Sequence, residues 1–109
     1  MEIECEFKVI KWGLTNQQFY TCRILYMAID PLKELKFVGA HLNEKTNKDV
    51  TAISFDSCEV SSVPRGLTKS FPNLQGLNIG NSKLKSVKKE DFEGLQNLKF
   101  LYLKHNEIE

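Results

Sequence analysis

The stretch Leu74-Gln75-Gly76-Leu77-Asn78-Ile79-Gly80-Asn81-Ser82-Lys83-Leu84 decides the fold, because its pattern of apolar residues occurs three times in the chain. The other two copies span residues 50–60 and 98–108, so each copy starts about 24 residues after the one before it. A fixed period of this length is typical of chains built from stacked structural repeats.

Apolar residues occupy the same positions in every copy. The matching sets are Val50, Leu74 and Leu98; Ile53, Leu77 and Leu101; Phe55, Ile79 and Leu103; and Val60, Leu84 and Ile108. Between the copies, Val63 also matches Val87, and Phe71 matches Leu95. A chance match at one position is common, but six sets in phase indicate a true repeat.

The spacing within one copy, L-x-x-L-x-L-x-x-N/C-x-L, predicts a short strand followed by a turn. Alternation with period two places the apolar pair of each copy, such as Leu77 and Ile79, on one face of the strand. The ninth position lies at the turn, where a side chain must satisfy unpaired backbone groups. Asn106 suits this role fully, Ser82 partly and Cys58 only weakly. Since no copy can bury its apolar face alone, we expect the copies to stack into a parallel sheet.

With this spacing, residues 50–109 resemble leucine-rich-repeat proteins of the extracellular type, which have long variable segments such as residues 87–97. The resemblance covers a little over half of the chain. It implies a β-rich α/β solenoid with a parallel sheet, and the preceding residues predict an antiparallel β-hairpin cap. For function the resemblance implies binding in general, because this fold hosts many unrelated binding roles.

The hairpin is predicted from two strand-like segments before the repeats. Residues 2–12 alternate between apolar and polar types, and residues 19–29 are rich in aromatic and β-branched residues. Ile3, Cys5, Phe7 and Val9 are expected to share one face of the first strand, which is half-buried, and Tyr20, Cys22, Ile24 and Tyr26 to share one side of the second. A lone hairpin is not stable in water, so we expect it to cover the apolar end of the first repeat.

The rest of the cap is predicted to connect the hairpin to the repeats. Asp30-Pro31 ends the second strand, and residues 35–42 predict a third strand that bridges the hairpin and the first repeat. Residues 43–49 are polar and predict an exposed loop. We therefore assign residues 1–49 to the cap and residues 50–109 to about two and a half repeats, as one continuous domain. The pattern C-x-F…W…Y-x-C, followed by G-x-H and D-V, resembles the cysteine-containing modules that precede extracellular leucine-rich repeats in arthropod proteins.

The pairing of the three cysteines indicates whether the protein belongs to an oxidising or a reducing compartment. Cys5 and Cys22 would lie opposite each other if the hairpin turn centred near residues 13 and 14, which gives the separation a disulfide needs. We predict a Cys5–Cys22 disulfide and leave Cys58 as a free thiol at its turn. The alternative is three reduced, buried cysteines in a cytosolic protein.

Composition narrows the classes of function. The chain is 41% apolar and 27% charged, with a formal charge of +1, so it has no general attraction to nucleic acid or anionic membranes. No apolar run approaches a membrane span, and residues 1–4 show no signal-peptide pattern. The basic residues Lys83, Lys85, Lys88 and Lys89 are followed at once by acidic ones, which favours a solvated mixed-charge surface over an anion-binding patch.

Neither catalysis nor a bound cofactor is predicted. The two histidines, His41 and His105, lie far apart in the repeat register. We expect His41 to form hydrogen bonds within the cap and His105 to be exposed. Cys5, Cys22 and His41 lack the spacing of zinc ligands, and no glycine-rich phosphate loop is present. The sequence thus predicts a chain that is not an enzyme and has neither metal nor cofactor.

A partner site is predicted on the exposed positions of the repeat strands. Phe100, Tyr102 and Lys104 alternate there, and exposed aromatic residues commonly anchor interfaces. We therefore place the centre of a protein-binding patch at these three residues, with Asn78 and Asp56 beside them. The alternative is that Phe100 and Tyr102 pack on their small neighbours Gly76 and Asn78.

The sequence therefore favours an extracellular or secreted, non-enzymatic module that recognises a protein partner. The first alternative is a structural protein that self-assembles, for example as a homodimer, through the uncapped repeat at residues 98–108. The second is a cytoplasmic adaptor with reduced thiols. Because the third copy stops in the middle of a unit, we also expect the chain to be an N-terminal fragment of a longer repeat protein.

Overall fold

Seven β-strands run through the part of the chain that the computed structural model describes, which comprises residues 1–12, 16–104 and 106. The strands are β1 (Glu2–Glu4), β2 (Glu6–Lys11), β3 (Gln18–Leu25), β4 (Lys36–Val38), β5 (Ala52–Asp56), β6 (Gly76–Asn78) and β7 (Phe100–Tyr102). The helical elements are α1 (Leu67–Ser70) and two 3₁₀ turns, Asn47–Asp49 and Lys89–Phe92.

Five of the strands form one sheet in the order β2-β3-β5-β6-β7. The pair β2–β3 is antiparallel, whereas β3–β5, β5–β6 and β6–β7 are parallel. In the register, Ala52 pairs with Gly76, and Gly76 pairs with Phe100. Residues that occupy the same position in successive copies are therefore paired on neighbouring strands. This confirms the predicted parallel sheet of stacked copies.

The apolar positions of the first two copies form the core. All eight are at most 2% exposed, namely Val50, Ile53, Phe55, Val60, Leu74, Leu77, Ile79 and Leu84. Burying one such side chain contributes about 1.5–3 kcal/mol, so these residues dominate the stability of the repeats. In the third copy Leu98 and Leu103 are only partly buried, and Leu101 is 41% exposed, because β7 is the outermost strand. Ile108 lies outside the described residues.

Asn106, at the ninth position of the third copy, forms hydrogen bonds with backbone groups at the turn, as predicted. The amide oxygen of Asn106 accepts hydrogen bonds from the backbone N–H groups of Ser82 at 2.9 Å and Leu84 at 3.0 Å. Its amide nitrogen donates to the carbonyl oxygens of Ile79 and Leu103. One side chain thereby satisfies groups in two successive copies.

The other two ninth-position residues make the same cross-copy contact with fewer bonds. The Ser82 hydroxyl donates to the Phe55 carbonyl at 3.1 Å, and the Cys58 thiol donates to the Ile24 carbonyl at 3.5 Å. Since each acceptor lies in the preceding strand, the three residues form a ladder across the sheet. The order of strength predicted from the side chains, Asn over Ser over Cys, matches the number and length of these bonds.

The end of β3 follows the same path as the repeats, which the sequence analysis did not predict. In the register, Ile24 pairs with Phe55 of the first copy. The same left-handed backbone conformation follows β3, β5 and β6. It occurs at Tyr26, Ser57 and Asn81, which lie two positions after Ile24, Phe55 and Ile79 and each have φ of 55°. The next inward residues, Ile29 and Val60, both donate their N–H groups to the following copy. Residues 22–29 are thus a half repeat inside the cap.

The second predicted strand is consequently shorter than expected. β3 ends at Leu25. Tyr26, expected to share a side of the strand with Cys22 and Ile24, lies beyond the strand and is 80% exposed. The left-handed backbone at Tyr26 turns the chain away from the strand direction, which no β-branched or aromatic pattern signals.

The first predicted strand is divided into two at Cys5. β1 pairs in parallel with β4, whereas β2 pairs with β3. Between them, the Cys5 N–H donates to the Val38 carbonyl at 2.7 Å. Val9, expected to share a face with Phe7, is 50% exposed because β2 is the outer edge of the sheet.

The prediction that residues 35–42 bridge the hairpin and the first repeat is wrong. β4 pairs only with β1 in a two-stranded sheet, and β3 itself pairs with β5. Gly39 ends β4 with φ of 142° and packs against Cys5, where an added Cβ would meet the carbonyl oxygen at 2.4 Å. Only glycine permits this close approach. Because β3 occupies the place beside β5, β4 has no free edge next to the first repeat.

Cys5 and Cys22 form the predicted disulfide, with Cα atoms 5.0 Å apart, and Cys58 is free and buried. The two bonded residues are not directly opposite, since Cys22 is paired with Phe7 in the register. The bridge therefore joins β3 to the junction between β1 and β2 instead of closing a simple hairpin pair.

Candidate recognition surface

One face of the five-stranded sheet carries the residues that alternate with the core positions, which are small or polar on β3, β5 and β6 and aromatic on β7. We call this the open face. Its central residues are Thr21, Arg23, Ala52, Ser54, Gly76, Asn78, Phe100 and Tyr102, which follow from the strand registers. Side chains of successive residues point to opposite sides of a strand, so these residues face away from the main core.

Four aromatic rings form a cluster on the open face. Trp12 and Phe19 come from the cap and are buried, whereas Phe100 and Tyr102 come from the third copy and are half-buried. Ring centroids lie 5.6 Å apart for Trp12 and Tyr102, 5.4 Å for Phe19 and Phe100, and 5.9 Å for Trp12 and Phe19. Such separations are typical of favourable aromatic pairs. The cap and the third copy are thus in direct contact across the sheet.

The small residues of the first two copies leave room for the indole. A Cβ at Gly76 would lie 3.3 Å from Cζ3 of Trp12 and 3.4 Å from the Cβ of Ala52. Trp12 therefore covers Gly76. The alternative expectation was that Phe100 and Tyr102 cover this glycine and Asn78. The two aromatic residues pack instead on Phe19 and Trp12.

Beside the cluster is a groove of about 380 Å³, which we call the sheet groove. It is lined by Ile10, Lys11, Trp12, Arg23, Ser54, Asp56, Asn78 and Tyr102. Ile10, Trp12 and Tyr102 supply the apolar side, and the other residues supply charges and hydrogen-bonding groups. The volume is within the range of roughly 300–1,000 Å³ that is usual for ligand sites.

The polar side of the sheet groove is ordered by its own contacts. Arg23 donates from Nη2 to Oδ2 of Asp56 at 3.1 Å, and both side chains are about one-third exposed. Asn78 donates to the Ser54 hydroxyl at 3.5 Å and accepts from the Gly80 N–H at 2.9 Å. A partner would therefore meet groups that are already positioned, which lowers the entropic cost of binding.

A family model for leucine-rich repeats matches residues 49–108, which is 60 of the 109 residues. The chain belongs to the leucine-rich repeat family. Domains of this family generally mediate protein–protein interaction and are typically non-enzymatic. No curated protein matches the chain.

Within this leucine-rich repeat chain, the structure brings together three of the five residues predicted to bind a partner. Tyr102, Asn78 and Asp56 all line the sheet groove. Phe100 packs on Phe19 instead, and Lys104 is exposed but does not line the groove.

The same surface also includes Lys11, Trp12 and Arg23, which were not predicted from the sequence. Arg23 was detectable, because it occupies the position of Ser54 and Asn78 in the half repeat of β3. The spacing from β3 to β5 is longer than the repeat period, so a search at a fixed offset does not find it. Trp12 and Lys11 lie outside the repeat and carry no such signal.

His41 has the structural role that was predicted for it. Its Nδ1 lies 2.8 Å from the Tyr20 hydroxyl, and its Nε2 lies 2.8 Å from the Asn47 side-chain oxygen. Because the Asn47 oxygen only accepts, this arrangement suits an imidazole that donates from Nε2 to Asn47. The imidazole also stacks on Phe7 with a centroid distance of 3.9 Å, so it joins the cap strands to the following loop. His105 lies outside the described residues.

Three further properties of the residues that the structure describes concern metal-binding clusters, membrane-spanning helices and shifted pKa values. Residues 1–12, 16–104 and 106 contain no cluster of three His, Cys, Asp or Glu side chains that could hold a metal ion. No helix among them is long and apolar enough to span a bilayer. Burial raises the pKa of the Cys58 thiol above its ordinary value of 9.0, so the neutral thiol predominates at physiological pH.

Proposed function

We propose that this chain is a non-enzymatic recognition module that binds a protein partner at the sheet groove. The observation that carries the proposal is the position of Tyr102, half-exposed beside the ordered Arg23–Asp56 pair. Tyrosine and arginine are the residue types that most often dominate interface energies. Packing on Trp12 restrains the Tyr102 ring before any partner binds.

We further propose that the cap (residues 1–49) and the repeats (residues 50–109) act as one solenoid-like unit. Support comes from the groove itself, since Trp12 and Arg23 belong to the cap while Asp56 and Tyr102 belong to the repeats. The continuous pairing of β3 with β5 across this boundary also supports one unit. Loss of the cap would therefore remove half of the site.

An extracellular location is part of the same proposal. Disulfides persist in oxidising compartments, and the Cys5–Cys22 bridge supports such a location. Intact-mass analysis of the native protein, with and without reductant and alkylating agent, distinguishes this from the cytosolic adaptor. One bridge with Cys58 alkylated only after unfolding supports secretion, whereas three reactive thiols favour the adaptor.

The binding proposal can be tested with peptides selected on the folded protein from a phage-displayed library. Selected peptides are expected to lose at least about tenfold in affinity for Tyr102→Ala and Arg23→Ala, since interface anchors of these types contribute more than 1 kcal/mol. Tyr26→Ala is the matched control, because the Tyr26 side chain is 80% exposed and does not line the groove. The substitution keeps the backbone N–H of residue 26, which donates to the Asp56 carbonyl at 3.2 Å. Equal affinities for all three variants would contradict the proposal.

Self-association through β7 is a second candidate function. Leu101 is 41% exposed, although the equivalent Leu77 and Ile53 are fully buried. An open strand edge with an apolar side chain is a site where a second chain can pair. Sedimentation over a range of concentrations tests this, with Leu101→Lys compared with Leu32→Lys at an exposed loop position. Dimerisation lost only in Leu101→Lys favours self-association, and a monomer at all concentrations excludes it.

A further inference from the structure

A second depression, of about 630 Å³, is formed by loops outside the sheet groove; we call it the loop groove. Three segments contribute to it, namely residues 31–35 of the cap, residues 62–70 after β5 and residues 86–91 after β6. The charged residues in its lining are Lys33, Glu34, Arg65, Lys69, Lys88 and Asp91.

Positive charge predominates in the loop groove. Four cations face two carboxylates there, although the whole chain has a formal charge of only +1. Asp91 is buried and already engaged, since its Oδ2 accepts from the Lys88 N–H at 2.8 Å and its Oδ1 lies 3.9 Å from Arg65. Among the described residues, Lys33 and Lys69 form no ion pair, and neither does the Lys88 ammonium.

The fold, and not a basic stretch of sequence, brings these cations together. Of the four lysines between positions 83 and 89, only Lys88 lines the loop groove. The other three cations of the groove come from different parts of the chain: Lys33 lies in the cap, and Arg65 and Lys69 lie in the first variable segment. Three serine hydroxyls lie between them, at positions 62, 70 and 86, and add neutral hydrogen-bond donors.

The shape and chemistry of the lining restrict the ligand. The cations are spread over three segments of a groove that is much larger than a single oxyanion, which suits a chain with repeated anionic groups. None of the described residues in the lining is aromatic, so the stacking platforms that bind single-stranded nucleic acid are missing from it. The disulfide supports an oxidising compartment. A sulfated polysaccharide is a linear polyanion that fits such a compartment, and this choice of ligand rests on the extracellular location proposed above.

We propose that the loop groove binds a sulfated glycan chain. Lys33, Lys69 and Lys88 contact sulfate groups, Arg65 supports them while remaining close to Asp91, and the serine hydroxyls donate to sulfate or ring oxygens. This site is separate from the sheet groove, with which it shares no lining residue.

The test is calorimetric titration with a heparin-derived tetrasaccharide at low and high salt. The triple variant Lys33→Gln, Lys69→Gln, Lys88→Gln is expected to bind about three- to a hundredfold more weakly, because it loses three exposed cation–sulfate pairs together. The matched control is Lys36→Gln, Lys48→Gln, Lys99→Gln, which removes the same charge from exposed sites outside the lining. We expect the control to stay within about twofold of the original protein, and added salt to weaken binding.

Three outcomes would overturn the proposal. They are no binding of the tetrasaccharide, an equal loss in both triple variants, and equally tight binding of poly-glutamate of matched charge. The last two would indicate general attraction to anions instead of a glycan site. Because all six lysines are exposed, the variants are expected to fold, and circular dichroism with thermal unfolding checks this. If the triple variant fails to fold, the single variants Lys33→Gln and Lys69→Gln give the same comparison with Lys36→Gln and Lys48→Gln.

Discussion

The indole of Trp12 lies 5.6 Å, centroid to centroid, from the phenol ring of Tyr102, although the two residues come from opposite ends of the sequence. Trp12 follows the first strand of the cap hairpin, and Tyr102 ends the third repeat strand. Their contact spans the strands between them and forms the apolar side of the sheet groove. The cap therefore completes a surface that the repeats begin.

Tyr102→Ala is expected to shift the tryptophan emission to longer wavelength, because removal of the phenol ring exposes the indole to water. Trp12 is the only tryptophan in the chain, so the fluorescence reports the surroundings of this residue. Tyr26→Ala, at an exposed position, should leave the emission unchanged. An unaltered spectrum for folded Tyr102→Ala would show that the two rings do not pack in solution.

Asn106→Ala should destabilise the protein by about 1–3 kcal/mol, since it leaves the partly buried N–H groups of Ser82 and Leu84 without their acceptor. Asn106→Asp keeps an acceptor but loses the donor to Ile79 and Leu103, so an intermediate loss is expected. Urea unfolding measures both, and Asn97→Ala at an exposed site is the control. If all three variants unfold at the same urea concentration, the ladder contributes no stability.

Replacing both bonded cysteines by serine should lower the free energy of unfolding by about 3 kcal/mol, because the bridge closes a loop with a sequence separation of 17. The double variant Cys5→Ser, Cys22→Ser is compared with Cys58→Ser, which removes a thiol but no bridge. Chemical unfolding without reductant gives both values. Equal stability of the double variant and the original protein would mean that the bridge does not constrain the chain.

The thiol of Cys58 should make stability fall at alkaline pH. Burial raises its pKa in the folded state above 9.0, so above that pH the unfolded chain loses the proton first. The free energy of unfolding then decreases as pH rises, by up to about 1.4 kcal/mol per pH unit, while below pH 9 the thiol has no effect. Cys58→Ser should show a smaller decrease between pH 8 and 10.5, because the hydroxyl does not ionise. Parallel curves for the two proteins would contradict the expected burial.

The repeat core was predictable from the sequence because its cause is local and periodic. Leu77 and Ile79 face inward through period-two alternation, and the copy at a fixed offset repeats the same pattern. The ninth-position ladder was predictable for the same reason, since the hydrogen-bonding capacity of Asn106, Ser82 and Cys58 is a property of each side chain.

The cap was harder to predict because its geometry depends on single close contacts. The path after β4 is set by Gly39 against the Cys5 carbonyl, and the end of β3 is set by the left-handed backbone at Tyr26. Neither residue type signals its contact in the sequence. Half of the sheet groove belongs to this part of the chain, so the repeat pattern alone located Tyr102, Asn78 and Asp56 but not Trp12 or Arg23.

The most direct test of recognition at the sheet groove is a map of amide chemical shifts in the ¹⁵N-labelled protein during titration with a library-selected peptide. We expect the largest changes at Arg23, Ser54, Asn78 and Tyr102, and little change at Lys33 or Lys69 in the loop groove. Tyr102→Ala should abolish the changes while the spectrum stays that of a folded chain. Changes confined to the loop groove or to the outer edge of β7, with the sheet groove unaffected, would contradict the account.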